Sequence, residues 1–346
     1  MEKDGIYIYG IVPNIYHSEV FKSLEEIGVY SITYQNVAAI VSDRAIDSVD
    51  FSNRESLGYL LVEHQETIEE LTKKGFAIIL PMRLGIIVHT IENVIEILAS
   101  GYQLITETLH KVEHLTEMDV VITWADFPSH INDIVTHEDI QKLKQEILSK
   151  NNSAIQQVDQ VKIGMLIQEK ISEQNKQIEL KTLNDLSLVT EDIKIHEVMN
   201  DKMISNAAYL INKEKLNMFG KIVDQIDEEY KGKLNFKLVG PLPNYSFYTI
   251  DIKELHADQI EEAKALLELE TIGNEKEIKN AYLNKAKLVH PDMQLNNTDD
   301  EFTKFNQAYH LLLKYTHAYK CYSLNDYNHH LNINEIKNLI LVTIKE

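Results

Sequence analysis

The stretch from residue 136 to about residue 204 is almost free of residues that end helices, since it has no proline and one glycine, Gly164. Apolar residues recur in it at the spacing of a helix face, at Ile155, Val158, Val161, Met165 and Ile171. Because proline and glycine are the usual breaks in helices, so long a run without them predicts long helices, as in a protruding hairpin. The domain that contains this stretch must therefore accommodate a long helical insertion.

Predicted strands on both sides of the insertion define its domain. Apolar, β-branched runs predict strands at residues 119–127, 203–213 and 234–240, and an amphipathic pattern that ends near Gly232 predicts a helix before the last strand. The order strand, helices, strand, helix, strand is compatible with a modified ferredoxin-like sandwich, with helices on one face of a sheet. We therefore predict a modified ferredoxin-like domain with a long helical insertion over residues 118–253.

An N-terminal α+β domain is predicted over residues 1–117. Residues 5–12 and 29–42 are rich in Ile, Val and Tyr, as strands are. Helical patterns follow at residues 57–71 and at about residues 91–115. The fold class predicted for the first two domains is therefore α+β.

Charge and cysteine content limit the partners of the chain. Its formal net charge of −20 would repel phosphate backbones and anionic lipid, which argues against nucleic-acid or membrane-surface binding. The longest apolar run is interrupted by Arg83 and is shorter than the roughly 20 residues that span a bilayer. The single cysteine, Cys321, cannot form an internal disulfide, and the acidic N-terminal residues are unlike a signal peptide. We therefore expect a cytoplasmic protein.

Residues 237–249, KLVGPLPNYSFYT, form a stiff aromatic corner directly after a predicted strand. Pro241 and Pro243 fix φ at about −65° and hold the preceding residues extended, so the chain leaves the strand along a defined path. Tyr245 and Phe247 are then presented either to a neighbouring domain or to another protein. Because aromatic residues at strand ends mostly pack in a core, a lock between domains and a partner-binding site are the two alternatives.

Segments of the chain resemble the gas vesicle protein F/L family, in the order in which that family carries them. They are the opening strand GIYIYGIV at residues 5–12, LPMRLG at residues 80–85, and GPLPNYSF at residues 240–247. In the last, Leu242 and Asn244 replace a Trp and a Pro of the family signature. The resemblance implies a cytoplasmic, non-enzymatic accessory protein of gas vesicle formation. It also implies localisation to the gas vesicle and contacts with the small hydrophobic shell protein and other accessory proteins.

Arg83 lies within the apolar run of residues 76–88, which predicts a strand pair or a bent strand. An arginine inside an apolar strand is costly unless it is paired, so we expect its guanidinium to meet a carboxylate. A structural ion pair and a partner-binding role are the two alternatives for this residue.

A third, all-helical unit is predicted over residues 258–316, and a tail follows over residues 317–346. The unit resembles a J domain, the co-chaperone module that stimulates DnaK-type chaperones. Its loop, His290-Pro291-Asp292, lies between helices whose inner faces are apolar, at Ile278, Ala281, Tyr282, Phe302, Phe305, Ala308, Tyr309 and Leu312. The resemblance implies that the loop, with nearby Lys279 and Lys287, contacts a chaperone.

The helix before the loop departs from the J-domain pattern. Positions where the family places basic residues are occupied by Asn280, Leu283, Asn284 and Leu288. Lys285 occupies a position that is usually Leu. Since chaperone docking depends on basic residues that meet an acidic surface, these changes should weaken it. The alternative is a rigid turn, in which Pro291 ends one helix and Asp292 caps local backbone donors.

One catalytic pattern occurs, HKVEH at residues 110–114, which fits the inverted zinc-peptidase motif with Glu113 as base. A catalytic zinc needs a third protein ligand, and a pair of histidines four residues apart is unremarkable among 14 histidines. The sequence contains no glycine-rich phosphate loop and no nucleophile elbow. We therefore predict no catalytic residue, no cofactor and no metal, with a zinc peptidase as a remote alternative.

Two functions from different classes remain. In the first, the chain is an assembly factor that binds the shell protein and accessory proteins, with the J-like unit as a further contact surface. In the second, it is a J-domain co-chaperone that delivers apolar shell subunits to a DnaK-type chaperone.

Overall fold

The computed structural model of the protein divides into two structural units. The chain leaves the first unit after Glu113 and returns to it at Tyr248. Residues Met1–Glu113 and Tyr248–Glu346 belong to the first unit, and His114–Phe247 form the second unit. The structure describes residues 4–16, 18–45, 50–150, 157–272, 274–289, 299–325 and 336–345. Within these ranges, no helix has both the length and the apolar character needed to cross a membrane. The predicted helical unit and tail thus belong to the same unit as the N-terminal domain.

The N-terminal part of the first unit is an antiparallel sheet with helices packed against it. Its elements are β1 (Asp4–Pro13), α1 (Ser18–Lys22), β2 (Tyr30–Tyr34), β3 (Val37–Ala45), α2 (Arg54–Lys73), β4 (Leu80–Pro81), β5 (Ile87–Val88), α3 (Ile91–Ser100) and α4 (Tyr102–Val112). The strand order is β2-β3-β1-β4, and β5 also pairs with β1. Consecutive residues Tyr7 and Ile8 of β1 are both fully buried, so the central strand is covered on both faces. The predicted α+β character of this part is confirmed.

Helix α2 illustrates how sequence dictates these elements. The side chain of Asn53 caps its start by accepting a hydrogen bond from the Glu55 N–H at 2.9 Å. Leu60, His64 and Ile68 recur every four residues and are buried, so one face of the helix covers the sheet.

Two predictions for the N-terminal part need correction. The single helix predicted over residues 91–115 is two helices that meet at Gly101. A Cβ atom there would lie 2.8 Å from Cγ1 of Val342 and 2.9 Å from Cδ1 of Ile105, so only glycine fits this close approach. The apolar run 76–88 forms only the short strands β4 and β5, with a turn at Gly85.

The second unit is a sheet with its hydrophobic core on the helical face. Its elements are β6 (Leu115–Trp124), α5 (Phe127–Val135), α6 (Glu138–Lys150), α7 (Gln157–Ser187), β7 (Asp192–Ile195), β8 (Met203–Asn212), α8 (Leu216–Tyr230) and β9 (Leu234–Leu242). The antiparallel order is β7-β8-β6-β9, and buried Val120, Ile122 and Tyr209 pack with Phe219 and Val223 of α8. The predicted mixture of sheet and helices is confirmed.

The long helices predicted between residues 136 and 204 are α6 and α7. A separate small core joins them to α5 through Ile134, Ile140, Ile147 and Ile163. The prediction extended too far at its C-terminal end, because α7 stops at Ser187 and Asp192–Ile195 forms the edge strand β7. Backbone hydrogen bonds to β8 hold β7 in the sheet. Such pairing with another strand is not visible in the periodicity of the β7 sequence itself.

The C-terminal part of the first unit contains three helices and a strand pair. Its elements are β10 (Thr249–Leu255), α9 (Ala257–Leu266), α10 (Glu275–Val289), α11 (Asp299–Asn325) and β11 (Leu339–Lys345). The helices predicted within residues 258–316 are α9, α10 and α11, although α11 continues beyond this range. The predicted tail supplies β11, which pairs antiparallel with β10. Buried Leu339 and Leu341 of β11 share one core with Ile278, Leu312 and Tyr315 of the helices.

Candidate functional site

The corner after β9 begins with a bulge in the strand. Gly240 and Pro241 together lie across from a single residue of β6, Met118. Gly240 has a φ of +144°, and a Cβ atom there would lie 2.5 Å from Sδ of Met118 and 2.9 Å from the carbonyl oxygen of Glu117. The Gly240–Pro241 peptide bond is cis. Both the backbone conformation and the available space therefore require glycine at this position.

A buried carboxylate holds the far end of the corner. Glu117 is only 1% exposed, and it accepts hydrogen bonds from the backbone N–H of Ser246 at 2.8 Å and from the Ser246 hydroxyl at 2.7 Å. Burial raises the pKa of Glu117 to about 7, although both hydrogen bonds from Ser246 act in the opposite direction. The corner is thus attached to β6 by one side chain with two contacts.

Asp119 and His196 lie close to the contact between Glu117 and Ser246. Nε2 of His196 lies 3.3 Å from the Ser246 hydroxyl oxygen. Burial raises the pKa of Asp119, and the charge of His196 opposes that shift. Because the single hydroxyl proton of Ser246 is donated to Glu117, His196 is not placed to withdraw it as the base of a nucleophilic serine would. The chemistry of this cluster is that of a structural lock.

The predicted partner-binding residues of the corner differ in accessibility. Phe247 is 2% exposed, and Nζ of Lys194 lies 5.7 Å from the centre of its ring. Pro241 is exposed, whereas Pro243 and Tyr245 are half-buried. Phe247 is therefore buried, while the other three keep accessible surface, and the choice between a lock and a partner-binding site stays a prediction.

Arg83 is paired, but it is not buried as an arginine inside an apolar strand would be. It follows β4, its side chain is 58% exposed, and its Nη1 lies 3.1 Å from Oδ2 of Asp251 on β10. Its backbone N–H also donates to the carbonyl of Ile250 at 2.8 Å. The expected carboxylate partner is present, although Arg83 reaches it in a solvated loop.

The J-like helices carry an exposed basic face. Lys279 and Lys287 of α10 are both exposed, and so is Lys276, which lies one turn before Lys279. Nζ of Lys285 lies 2.5 Å from Oε1 of Glu268, so that charge is used within the unit. Sequence comparison with the J-domain pattern had passed over Lys276, although its i, i+3 spacing to Lys279 could have identified it.

The predicted loop residues His290, Pro291 and Asp292 lie outside the described residues. Their proposed role as the chaperone contact therefore remains a prediction. What the structure does place are the helices on either side, α10 and α11, which pack through the stacked rings of Tyr282 and Tyr309 with centroids 4.6 Å apart.

The stretch with the zinc-peptidase pattern does not continue as one helix. Helix α4 carries His110 but ends at Val112, so Glu113 and His114 lie beyond it. Within the described ranges, no group of three or more His, Cys, Asp or Glu side chains is arranged to hold a metal ion. The motif requires both histidines on one helical face, which this stretch does not provide.

A cleft of about 920 Å³ in the second unit, lined by both polar and apolar side chains, was not predicted. Helix α7 forms one wall from Gly164 to Glu179, a length of about 22 Å at the usual helical rise. The connection between β7 and β8 forms another wall with Val198 and Met199, and Met199 is 81% exposed. An apolar pair in a connection between strands was the sequence signal for this cleft.

Comparison with known proteins gives two regions of similarity. The family described as "Gas vesicle synthesis protein GvpL/GvpF" matches residues 5–249, and the DnaJ domain matches residues 265–318. Gas vesicle protein F of Nostoc sp. is 25% identical over 249 residues, which are 71% of this chain and 98% of that protein. Gas vesicle protein F of Microcystis aeruginosa is 26% identical over 245 residues, which are 70% of this chain and 97% of that protein.

Solved structures share the fold of the same region. The crystal structure of the gas vesicle protein GvpF from Anabaena sp. matches with a TM-score of 0.58 and 24% sequence identity, and covers 70% of this chain and 97% of that chain. GvpF from Microcystis aeruginosa matches with a TM-score of 0.54 and 24% identity, over 70% of this chain and 98% of that chain. At this identity the likeness is one of fold.

Proposed function

The chain belongs to the GvpL/GvpF family of gas vesicle synthesis proteins, and on that premise we propose that it is a non-enzymatic assembly protein for the vesicle shell. In this proposal it works in the cytoplasm and at the growing gas vesicle, where it holds the hydrophobic shell protein and contacts other accessory proteins. Its accessory role in gas vesicle formation follows from the family, and the identity of its partners is the proposed part.

The cleft beside α7 is the observation that best supports the holding role, because exposed apolar side chains lie on one of its walls. Exposed methionine and valine side chains are adaptable apolar contacts, and Met199 and Val198 present them beside the wall of α7. The wall formed by α7 is about 22 Å long at the usual helical rise, which is the length of about four turns of an apolar helix. A net charge of −20 would meanwhile keep a complex with an apolar subunit dispersed.

The test uses the full chain produced together with the shell protein. We expect Val198→Asp combined with Met199→Asp to reduce the shell protein that co-purifies with the chain and stays in the soluble fraction. Leu188→Asp is the matched control, because Leu188 is equally exposed in the second unit but lies outside the cleft. Equal retention of the shell protein by both variants would contradict the proposed role of the cleft.

A second candidate function is that of a J-domain co-chaperone. The match of residues 265–318 to the DnaJ domain favours it, together with exposed Lys279 and Lys287 on α10. The predicted contact set for a DnaK-type chaperone is these lysines with His290, Pro291 and Asp292. Basic residues in this position would meet an acidic surface of the chaperone.

The co-chaperone function is tested by the ATPase rate of purified DnaK in the presence of the full chain. The full chain is needed because β11 shares the core of the J-like helices. Stimulation that is lost in Asp292→Asn and in Lys279→Glu with Lys287→Glu, but kept in Lys221→Glu on α8, would support the function. If Asp292→Asn leaves gas vesicle formation intact, the chain acts as an assembly factor without chaperone stimulation.

A further inference from the structure

Strand β9 is an edge strand that pairs on one side only. In the sheet order β7-β8-β6-β9 it lies last, and its ladder runs to β6. The Ala125 N–H donates to the Lys233 carbonyl at 3.0 Å, which sets the phase of the ladder. Since antiparallel residues alternate between paired and outward main-chain groups, the N–H and C=O of Leu234, Phe236 and Leu238 point to the outer side.

The outer side of β9 is accessible. Within the described residues, the outward main-chain groups of Leu234, Phe236 and Leu238 form no hydrogen bond with another segment. The side chain of Lys237 is exposed, and that of Leu238 is 39% exposed. A row of unpaired donors and acceptors on an open edge is a template for one more strand.

The charge around this edge is opposite to that of the whole protein. Residues 231–250 contain three lysines and no Asp or Glu, although the chain has 54 acidic residues. Lys231, Lys233 and Lys237 are all exposed, and in the described part of the chain none forms an ion pair, unlike Lys181 of α7. The segment that forms the edge therefore carries only positive charges, although Asp126 and Asp133 line a pocket beside Lys233.

We propose that the outer edge of β9 binds an extended acidic segment of another protein, which adds a fifth strand to the sheet of the second unit. Lys233 directly precedes β9 and Lys237 lies within it, about 13 Å further along at the usual strand rise. A complementary segment carries two carboxylates four residues apart on one face and apolar side chains on the other, against Phe236 and Leu238. The bulge at Gly240 ends the new ladder.

The charge also distinguishes this partner from a second copy of the chain. Two copies paired through β9 would bring two positively charged segments together, and each copy carries a formal net charge of −20. Lysines on an edge strand discourage self-pairing, and the same charges select an acidic partner. This proposal is separate from the role proposed for the cleft beside α7, because it assigns a different surface and a different class of partner.

The binding test uses a labelled nonapeptide with blocked ends, valines on one face, and glutamates four residues apart on the other. Titration with the full chain, followed by fluorescence anisotropy, should give saturable binding that weakens as salt is added. The same peptide with lysines in place of glutamates should bind at least about tenfold more weakly. A peptide whose alternate amides are N-methylated should not bind, because it cannot pair with the edge.

Variants of β9 locate the site. Leu238→Pro removes an outward N–H that β6 does not use, so we expect a loss of about tenfold or more, while Leu238→Thr keeps that N–H and should lose only the smaller part of the affinity that comes from the apolar contact. Lys233→Glu with Lys237→Glu should weaken binding about fivefold or more, with Lys162→Glu combined with Lys221→Glu, both exposed on helices, as the control of equal charge change. Circular dichroism and thermal unfolding verify that each variant is folded.

Either of two results would overturn the proposal. One is that the acidic peptide binds Leu238→Pro and Leu238→Thr with equal affinity, or that its affinity is unchanged in Lys233→Glu with Lys237→Glu. The other is a sedimentation result in which the chain dimerises and Leu238→Pro abolishes the dimer, since the edge would then be occupied by a second copy.

Discussion

The carboxylate of Glu117 receives both hydrogen-bond donors of Ser246, a residue 129 positions later in the chain. Ser246→Ala removes the hydroxyl donor at 2.7 Å and leaves a buried carboxylate oxygen without it. We expect a loss of about 1–3 kcal/mol in the free energy of unfolding of the second unit, measured by urea denaturation with Trp124 fluorescence. Ser187→Ala at the exposed end of α7 is the control, and an equal small loss in both variants would contradict the structural role of Ser246.

Glu117 should make the second unit less stable as pH rises. An ordinary Glu titrates at 4.5 and burial raises the pKa of Glu117 to about 7, so the folded state binds the proton more tightly than the unfolded state between these values. Stability from this group is present below pH 4.5 and is lost as pH rises to about 7, by on the order of 3 kcal/mol. The difference in unfolding free energy between Glu117→Gln and the unaltered protein should follow this slope. A slope that is the same in Glu117→Gln and in the unaltered protein would contradict this assignment.

His64 should have the opposite effect in the first unit. Burial lowers its pKa from 6.5 to about 4, and its Nδ1 lies 2.7 Å from the Tyr7 hydroxyl. The unfolded state therefore takes up the proton first, and stability falls by on the order of 3 kcal/mol as pH decreases from 6.5 to about 4. Hydrogen exchange of α2, corrected for the intrinsic rate, should show this fall. His64→Gln should remove the acid dependence and exposed His89→Gln should leave it, and an unchanged slope in His64→Gln would refute the assignment.

Gly240→Ala should destabilise the second unit strongly, because the residue has positive φ and no space for a Cβ beside Met118. We expect a loss of about 2 kcal/mol or more in the free energy of unfolding. Gly220→Ala is the contrasting control, since a Cβ there meets nothing within 4 Å and Gly220 lies inside α8. That change should stabilise the unit by about 0.5–1 kcal/mol. Similar melting temperatures for the two variants would contradict the geometry of the bulge.

Truncation in β11 should loosen the J-like helices. Leu339 is buried in the same core as Leu312 and Tyr315, so Leu339→Ala should cost about 2–5 kcal/mol in the stability of that core. Hydrogen exchange should then accelerate along α11 as well as in the strand pair. Exposed Thr343→Ala on the same strand is the control. Faster exchange confined to β10 and β11 would show that the helices form an independent core.

The sequence predicted the features that repeat locally. Helix α2 and the long helices α6 and α7 were visible because apolar residues recur at helical spacing for many turns. The break at Gly101 was missed although glycine is a local break signal, and only the structure shows that the close approach of Val342 leaves no room for a Cβ there. The run 76–88 was predicted as strands, but only Leu80, Pro81, Ile87 and Val88 pair with β1, and Met82 forms a single bridge to Ile250. Pairing depends on these distant partners rather than on the run itself.

In the candidate sites, too, local features were predicted from the sequence and contacts between distant residues were not. Pro241 and Pro243 were identified because proline acts on its own backbone and needs no partner. The attachment of the corner could not be foreseen, since Glu117 is one of 54 acidic residues and nothing near it in the chain indicates Ser246. Arg83 was expected to meet a carboxylate, but its choice of Asp251 follows from the return of the chain at β10.

The pairing of β10 with β11 has a consequence for biosynthesis. A ribosome makes the second unit, His114–Phe247, as one continuous stretch, which can fold as soon as it has emerged. The first unit waits about ninety residues longer, until β11 has been translated and can fill its place beside β10. During that interval, the apolar residues destined for the shared core have no cover, and the nascent chain is most exposed to chaperones and to aggregation.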